Sequence, residues 1–216
     1  MSMCDLIEIL TQFFLLNKKC SKTYVSYISG MIVLYSVSDN YRKFKVEDNM
    51  AKREILLLGN DNLYKVSEEI TKDNLDKAKH VVADLHDTID AFKEKYSYGR
   101  AIAAPQIDEA YRIIFMKYDD KILPFINPVM INTTDETFDL WDDCMSFPGL
   151  EVFVRRFAKI RVTYKDLDWK DQQLEFDGDL AELFQHEYDH LDGILAVQRA
   201  LNNKAFRINA SKVGKL

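Results

Sequence analysis

Cysteine is scarce in this chain: three occur in 216 residues, at positions 4, 20 and 144. A small odd number supports no disulfide framework and suits a reducing compartment. Cys4 and Cys20 both stand in the N-terminal fifth, so Cys144 has no disulfide partner in the remainder of the chain. Long apolar runs are missing too. Ile7–Leu16 and Tyr24–Val37 are interrupted by Gln12, Ser26 and Ser29, and neither reaches the roughly 18–20 apolar residues of a membrane span. No compact apolar segment leads to a small-residue cleavage site, and Asp5 and Glu8 fit an organellar presequence poorly. Basic stretches interleaved with aromatics are absent and the formal charge is −6, which removes the usual footprint of a nucleic-acid binder. Glycine and proline are few, and the apolar share of 47% permits an ordinary core.

Residues 1–49 read differently from the rest. Lys18, Lys19 and Lys22 separate the two short apolar runs, and no motif with chemical content falls there. We read them as an N-terminal extension: a leader outside the native protein with initiation at Met50, a disordered or loosely docked segment, or, least favoured, a weakly membrane-associating one. A chain starting at Met50 is expected to fold alone. Residues 50–216 then form the catalytic domain.

From Met50 the pattern becomes regular. Gly59-Asn60-Asp61-Asn62 is a turn cluster. Leu75, Ala78, Val82, Leu85, Ile89 and Phe92 recur at three- and four-residue steps, predicting an amphipathic helix over 73–96. Residues 99–106 read as a small-residue loop. Strands are expected at 112–118, 122–126, 129–132, 151–154, 159–165 and 172–176. A second helix is expected over 179–191, with Asp179 capping its start and Gly193 ending it. The order helix, antiparallel strands, helix predicts an α+β fold in a single small domain.

The sharpest local feature is His186-Glu187-Tyr188-Asp189-His190. Residues four apart on a helix share a side, so both imidazoles reach one metal ion. Glu187 sits one step round, within reach of a water at that ion. Leu180, Leu183, Phe184 and Leu191 form the apolar stripe that anchors the helix. A catalytic site needs a third ligand and an open position. No His, Glu or Cys follows His190, and Asp192 is the only acidic residue there, so the third ligand is expected upstream. Cys144, in Asp142-Asp143-Cys144-Met145-Ser146, is the candidate, although alone it reads as a small buried core residue. In Gly99-Arg100-Ala101-Ile102-Ala103-Ala104-Pro105-Gln106 the small residues admit a substrate backbone, and Gln106 offers an amide N–H to an oxyanion. Alone, that segment reads as an ordinary tight loop.

Taken together and in this order, the three segments resemble the motifs of the peptide deformylases: a Gly-x-Gly-φ-Ala-Ala-x-Gln loop with φ apolar, a Glu-Gly-Cys-φ-Ser segment, and His-Glu-x-Asp-His on a helix. The resemblance spans about residues 53–198. It implies antiparallel strands packed around a C-terminal metal-binding helix. It implies Cys144, His186 and His190 as ligands of one divalent ion, Fe2+ first and Zn2+ or Ni2+ as alternatives. Glu187 would deprotonate the attacking water and pass the proton to the leaving amine, while the Gln106 side chain and the Met145 backbone N–H would stabilise the oxyanion. Arg156 would pair with Asp142 in support. The reaction would remove formate from the N-formylmethionine of newly made peptides, in a cytoplasmic monomer that touches neither nucleic acid nor membrane.

Departures fall around the expected substrate site. Ala101 replaces the second glycine, Arg100 an apolar residue, and Asp142-Asp143 replaces Glu-Gly. Glu182 stands where the family often has an apolar residue or Arg. Gly99, Arg100, Ala101, Ile102, Asp143, Glu182 and Leu183 are therefore the expected substrate contacts. An Arg100–Glu182 pair would narrow the entrance and favour polar substrates; in the alternative reading both side chains point to solvent and matter little. Two other readings use the same residues: a metallopeptidase or amidase on a different N-acyl substrate, and a non-catalytic metal-binding relative.

Overall fold

The computed structural model describes residues 23–28, 31–36, 52–118 and 121–213, the first two segments as backbone alone. The chain divides into two compact units, Met1–Asn49 and Met50–Leu216. In the first, β1 (Thr23–Ile28) pairs antiparallel with β2 (Met31–Ser36). The rest of the expectation about the extension lies outside the described residues.

The second unit is α+β. Its first helix, α1 (Leu75–Tyr96), buries Ala78, Val82, Leu85, Ile89 and Phe92 of the predicted stripe, with Val81 added and Leu75 left half-buried at its start. A five-stranded sheet follows the order β3 (Ala101–Ala103), β4 (Ile113–Tyr118), β5 (Lys121–Asn132), β8 (Lys159–Lys165), β9 (Asp171–Asp177), with every pairing antiparallel. A three-stranded sheet has the central strand β7 (Leu150–Phe157) between β6 (Thr137–Asp143) and the short β10 (Phe206–Ile208). The second helix is α2 (Gly178–Leu191). Among the described residues no helix is long and apolar enough to cross a membrane.

Alternation along β4 sorts the large sheet's faces. Ile114 and Met116 join Phe125, Phe176, Phe184 and Leu191 in one buried cluster under α2. Phe115 points the other way and meets the His86 ring of α1 edge-on, centroids 5.4 Å apart. The sheet is thus a middle layer between the helices. Phe184 is the centre of the α2 side, with ring centroids 5.1 Å from Phe125 and 5.6 Å from Phe176.

Several expectations need correction. The two strands expected at 122–126 and 129–132 are one strand with a register shift between Ile126 and Val129. Asn127 sits there in the left-handed region (φ 48°), a conformation Asn tolerates, and its amide exchanges hydrogen bonds with the Ile70 backbone at 2.8 and 2.7 Å. The loop 99–106 holds β3 and a 3-10 turn, Ala104–Ile107. Strands β6 and β10 are additions. The residue capping α2 is Asp177, with no side-chain cap bond, while Asp179 is taken by Arg100. At the other end Gly193 does close α2, in a Schellman arrangement: Ile194 N–H bonds Asp189 O at 2.9 Å and Gly193 N–H bonds His190 O at 3.2 Å. Gly193 has φ 70°, and a Cβ there would sit 2.5 Å from Tyr64 O, so no other residue fits.

Candidate active site

Three chain segments converge on the polar edge of α2. The helix spacing brings His186 and His190 to one side, with ring centroids 5.0 Å apart. Cys144 follows β6 directly, at the start of the turn into β7. Its Sγ lies 3.3 Å from His190 Nε2. Potential ligand atoms of Cys144, His186 and His190 all lie within 4.8 Å of one another, and all three residues are buried. One soft thiolate and two imidazoles on a tight triangle make a fitting donor set for a divalent transition metal. A further observation fits a charged guest: Glu187 Oε2 is buried with no hydrogen-bond partner, a costly state for a carboxylate.

Gln106 completes the rim. Its Oε1 accepts from Ala103 N–H at 2.9 Å, which fixes the orientation of the amide. The Nε2 is thereby aimed at Cys144 Sγ (3.5 Å) and Ser146 Oγ (3.3 Å). The Met145 backbone N–H donates to no group among the described residues. Two further hydrogen bonds hold the segments in register: Leu56 N–H to Gln106 O and Leu58 N–H to Ser146 O, both 2.8 Å.

Behind the ligands runs a chain of charges. Asp142 Oδ1 lies 2.8 Å from His186 Nδ1, at an angle short of a good hydrogen bond. That contact leaves the other imidazole nitrogen, Nε2, for a metal. Arg156 bridges Asp142 (2.9 Å) and Asp189 (2.6 Å), and Arg199 forks onto Asp189 at 2.7 and 3.2 Å. Burial works against the charge on Asp142, yet His186 and then Arg156 hold its carboxyl at about 2. Burial likewise opposes a charged His186, but Asp142 and Cys144 raise its pKa well above the usual value. Burial and the neighbouring His186 push His190 well below it. Glu187 is raised to about 7, first by burial; His186 pulls it down, and Asp142 and Glu182 push it up. Glu182 is raised to about 7 by burial and by Asp142.

The expected substrate residues spread over several environments. Gly99 backs onto Phe92 and Met145. Ala101 packs in the α2 cluster, and Ile102 is fully buried. Leu183 is half-buried at that cluster's edge. Arg100 is exposed and paired through both guanidinium nitrogens with Asp179, one turn before Glu182. The Arg100–Glu182 pair is thus corrected to Arg100–Asp179, because the exposed Asp179 reaches the guanidinium while Glu182 lies buried beside Asp142 and His186. Asp143 pairs with Lys212 at 2.8 Å. Sequence reasoning missed Asp189 and Arg199 as the far end of the supporting chain. The available signal was a charged residue on a helix turn otherwise committed to burial.

Known proteins of similar sequence and fold identify the family. Residues 52–206 match the family model described as polypeptide deformylase. The peptide deformylase of Dictyoglomus thermophilum is 36% identical over 149 residues, 69% of this chain and 93% of that protein. That of Cytophaga hutchinsonii is 36% identical over 151 residues, 66% of this chain and 79% of the other. The crystal structure of the Thermotoga maritima peptide deformylase superposes with a TM-score of 0.63 at 28% identity, over 70% of this chain and 99% of that one. The chain belongs to the polypeptide deformylase family, metal-dependent hydrolases that remove the N-formyl group from newly made peptides.

Proposed function

We propose that Cys144, His186 and His190 hold one divalent ion, Fe2+ in the cell, and that Glu187, Gln106 and Met145 carry the deformylation of N-formylmethionyl peptides. The observation that carries this reading is the convergence of three buried donors beside a buried carboxylate oxygen with no partner. The chemistry such an ion supplies when bound is acidification of a water and polarisation of the formyl carbonyl. A Cys–His–His set also accepts Zn2+ or Ni2+.

The rest belongs to the side chains. Glu187 adjoins ligand His186 and has an oxygen to spare, so it takes the proton of the attacking water and returns it to the departing amine. As the formyl carbon becomes tetrahedral, negative charge gathers on its oxygen. Gln106 Nε2, pre-aimed by its bond to Ala103, and the uncommitted Met145 N–H donate to that oxygen. Asp142 and Arg156 keep the His186 ring from turning. The β3 backbone beside Gly99 and Ala101 receives the peptide, with Asp143, Glu182 and Leu183 at the margin. Because Arg100 is turned to Asp179, it does not close the entrance, and methionine stays the favoured first side chain. We read the enzyme as a cytoplasmic monomer that meets its substrate as the formylated end of a nascent chain, without direct contact with nucleic acid or membrane.

The test is formate release from formyl-Met peptides by the iron-loaded full chain under anaerobic conditions. Turnover that depends on added metal and disappears in Cys144→Ala supports the reading. Metal binding with no formate release from any formyl-peptide would overturn it.

A further inference from the structure

The last described residues do something that the reaction scheme does not require. Asp143 and Glu151 are directly opposite partners across β6 and β7. Two like charges facing each other across an antiparallel pair push the strands apart. This pair closes the turn whose next residue is Cys144, followed by Met145. Left alone, the repulsion would act where the thiolate and the backbone donor must be held still.

The C-terminal segment answers it. Strand β10 runs beside β7, and Asn209 N–H then bonds Gly149 O at 2.8 Å. Arg207 Nε and Asn209 Nδ2 each take one oxygen of the buried Glu151, at 2.6 and 2.8 Å. A 3-10 turn, Ala210–Lys212, returns the chain over the hairpin end. There Lys212 Nζ sits between the two carboxylates, 2.8 Å from Asp143 Oδ1 and 3.0 Å from Glu151 Oε1. The same ammonium lies 5.4 Å from the centre of the Tyr98 ring, next to Gly99. The seating is close: a Cβ on Gly149 would come 2.4 Å from Val213. These contacts fall beyond residue 206, where the family match ends.

We propose that Lys212 is a positioning residue: as the cation between Asp143 and Glu151 it fixes the β6–β7 turn against the Gly99 loop, and so sets the position of Cys144 and Met145. The inference rests on the proposed site, and its main readout does not depend on turnover. In the full chain, alkylation of Cys144 by iodoacetamide, followed by peptide mass mapping to separate it from Cys4 and Cys20, reports how firmly the turn shields the thiol. Lys212→Met is expected to raise the Cys144 rate several-fold, up to roughly fivefold for a partly exposed charge contact. Lys212→Arg should restore protection because it keeps the charge. Asp143→Asn in the Lys212→Met background should also restore it, since the repulsion is then gone. In the iron-loaded enzyme, the Lys212→Met change should appear mainly in kcat, through the oxyanion donor and the metal ligand, with KM little altered. An unchanged Cys144 rate in Lys212→Met overturns the proposal, and so does failure of Asp143→Asn to rescue. If Lys212→Met does not accumulate, the Lys212→Met, Asp143→Asn double variant must, and its failure is equally decisive. Loss of formate release in the wild type with these thiol results intact would refute the proposed reaction and leave the clamp standing.

Discussion

The two sheets of the catalytic unit are held by different forces. The five-stranded sheet rests on a wide apolar cluster with three phenylalanines at its middle, Phe125, Phe176 and Phe184. The three-stranded sheet has a small cluster of Cys144, Phe147, Val152, Val154 and Ala196, and makes up the difference with buried charge: Asp142, Glu151 and Arg156. Apolar burial is large in energy but indifferent to direction, whereas charge-assisted hydrogen bonds are modest in net energy and strict in direction. Helix α2 belongs to both. Phe184 and Leu191 anchor it to the first sheet, and His186, Asp189 and His190 face the second. Stability and geometry are thereby assigned to opposite sides of one helix.

Four substitutions separate the two contributions, in falling order of expected effect. Phe184→Ala removes the centre of the apolar cluster and should cost about 3–5 kcal/mol, seen as a large fall in the thermal midpoint with metal present. Glu187→Gln keeps shape and fold, so the midpoint and metal content should hold while formate release drops by roughly two orders of magnitude. An unchanged turnover in that variant would remove Glu187 from the chemistry. Asp142→Asn acts on direction: His186 loses its carboxylate while Arg156 keeps Asp189. Metal affinity, measured by chelator competition, should weaken roughly 10–100-fold, with a smaller loss of midpoint than Phe184→Ala. If the midpoint falls as far as in Phe184→Ala, the division between the sheets fails.

The fourth is a pH effect. Burial resists the charge on Glu151, but Asn209, Arg207 and Lys212 hold its pKa at about 2, below the ordinary 4.5. A carboxyl with a depressed folded pKa adds stability above about 4.5 that is lost as pH falls through about 2. Glu151→Gln should therefore destabilise the chain at neutral pH, and the gap to wild type should close as the solution is acidified across that window. A gap that stays constant with pH would mean that the carboxylate's charge contributes nothing to the smaller sheet.

How far the sequence reveals these features follows the same division. The α1 stripe, strands β4, β8 and β9, and α2 were readable because each carries a strong period or a strand-rich run between turn residues. The triangle of Cys144, His186 and His190 was legible once the downstream segment offered no other ligand. Strand β6 was not, since Thr137–Asp143 carries three acidic residues with Trp141 among them and its partner alone makes it a strand. Arg100 and Asp179 were each noticed and wrongly assigned. A 79-residue separation hides a surface pair that neither spacing nor composition encodes. Lys212 was hidden for the same reason: its role exists only where two strands oppose their carboxylates.

The bonds of Leu56 to Gln106 and of Leu58 to Ser146 bear on the order in which the molecule matures. They draw an early stretch of chain onto two later ones, and each closure has a loop entropy that must be met before any contact repays it. In synthesis Gln106 is made long before His190, and the residues that clamp the Cys144 turn are made after both. A half-made chain can complete its first helix and begin its large sheet, but it has no place to keep a metal ion. The active centre therefore assembles only once α2 and the clamp residues have been made, after the first helix and the start of the large sheet.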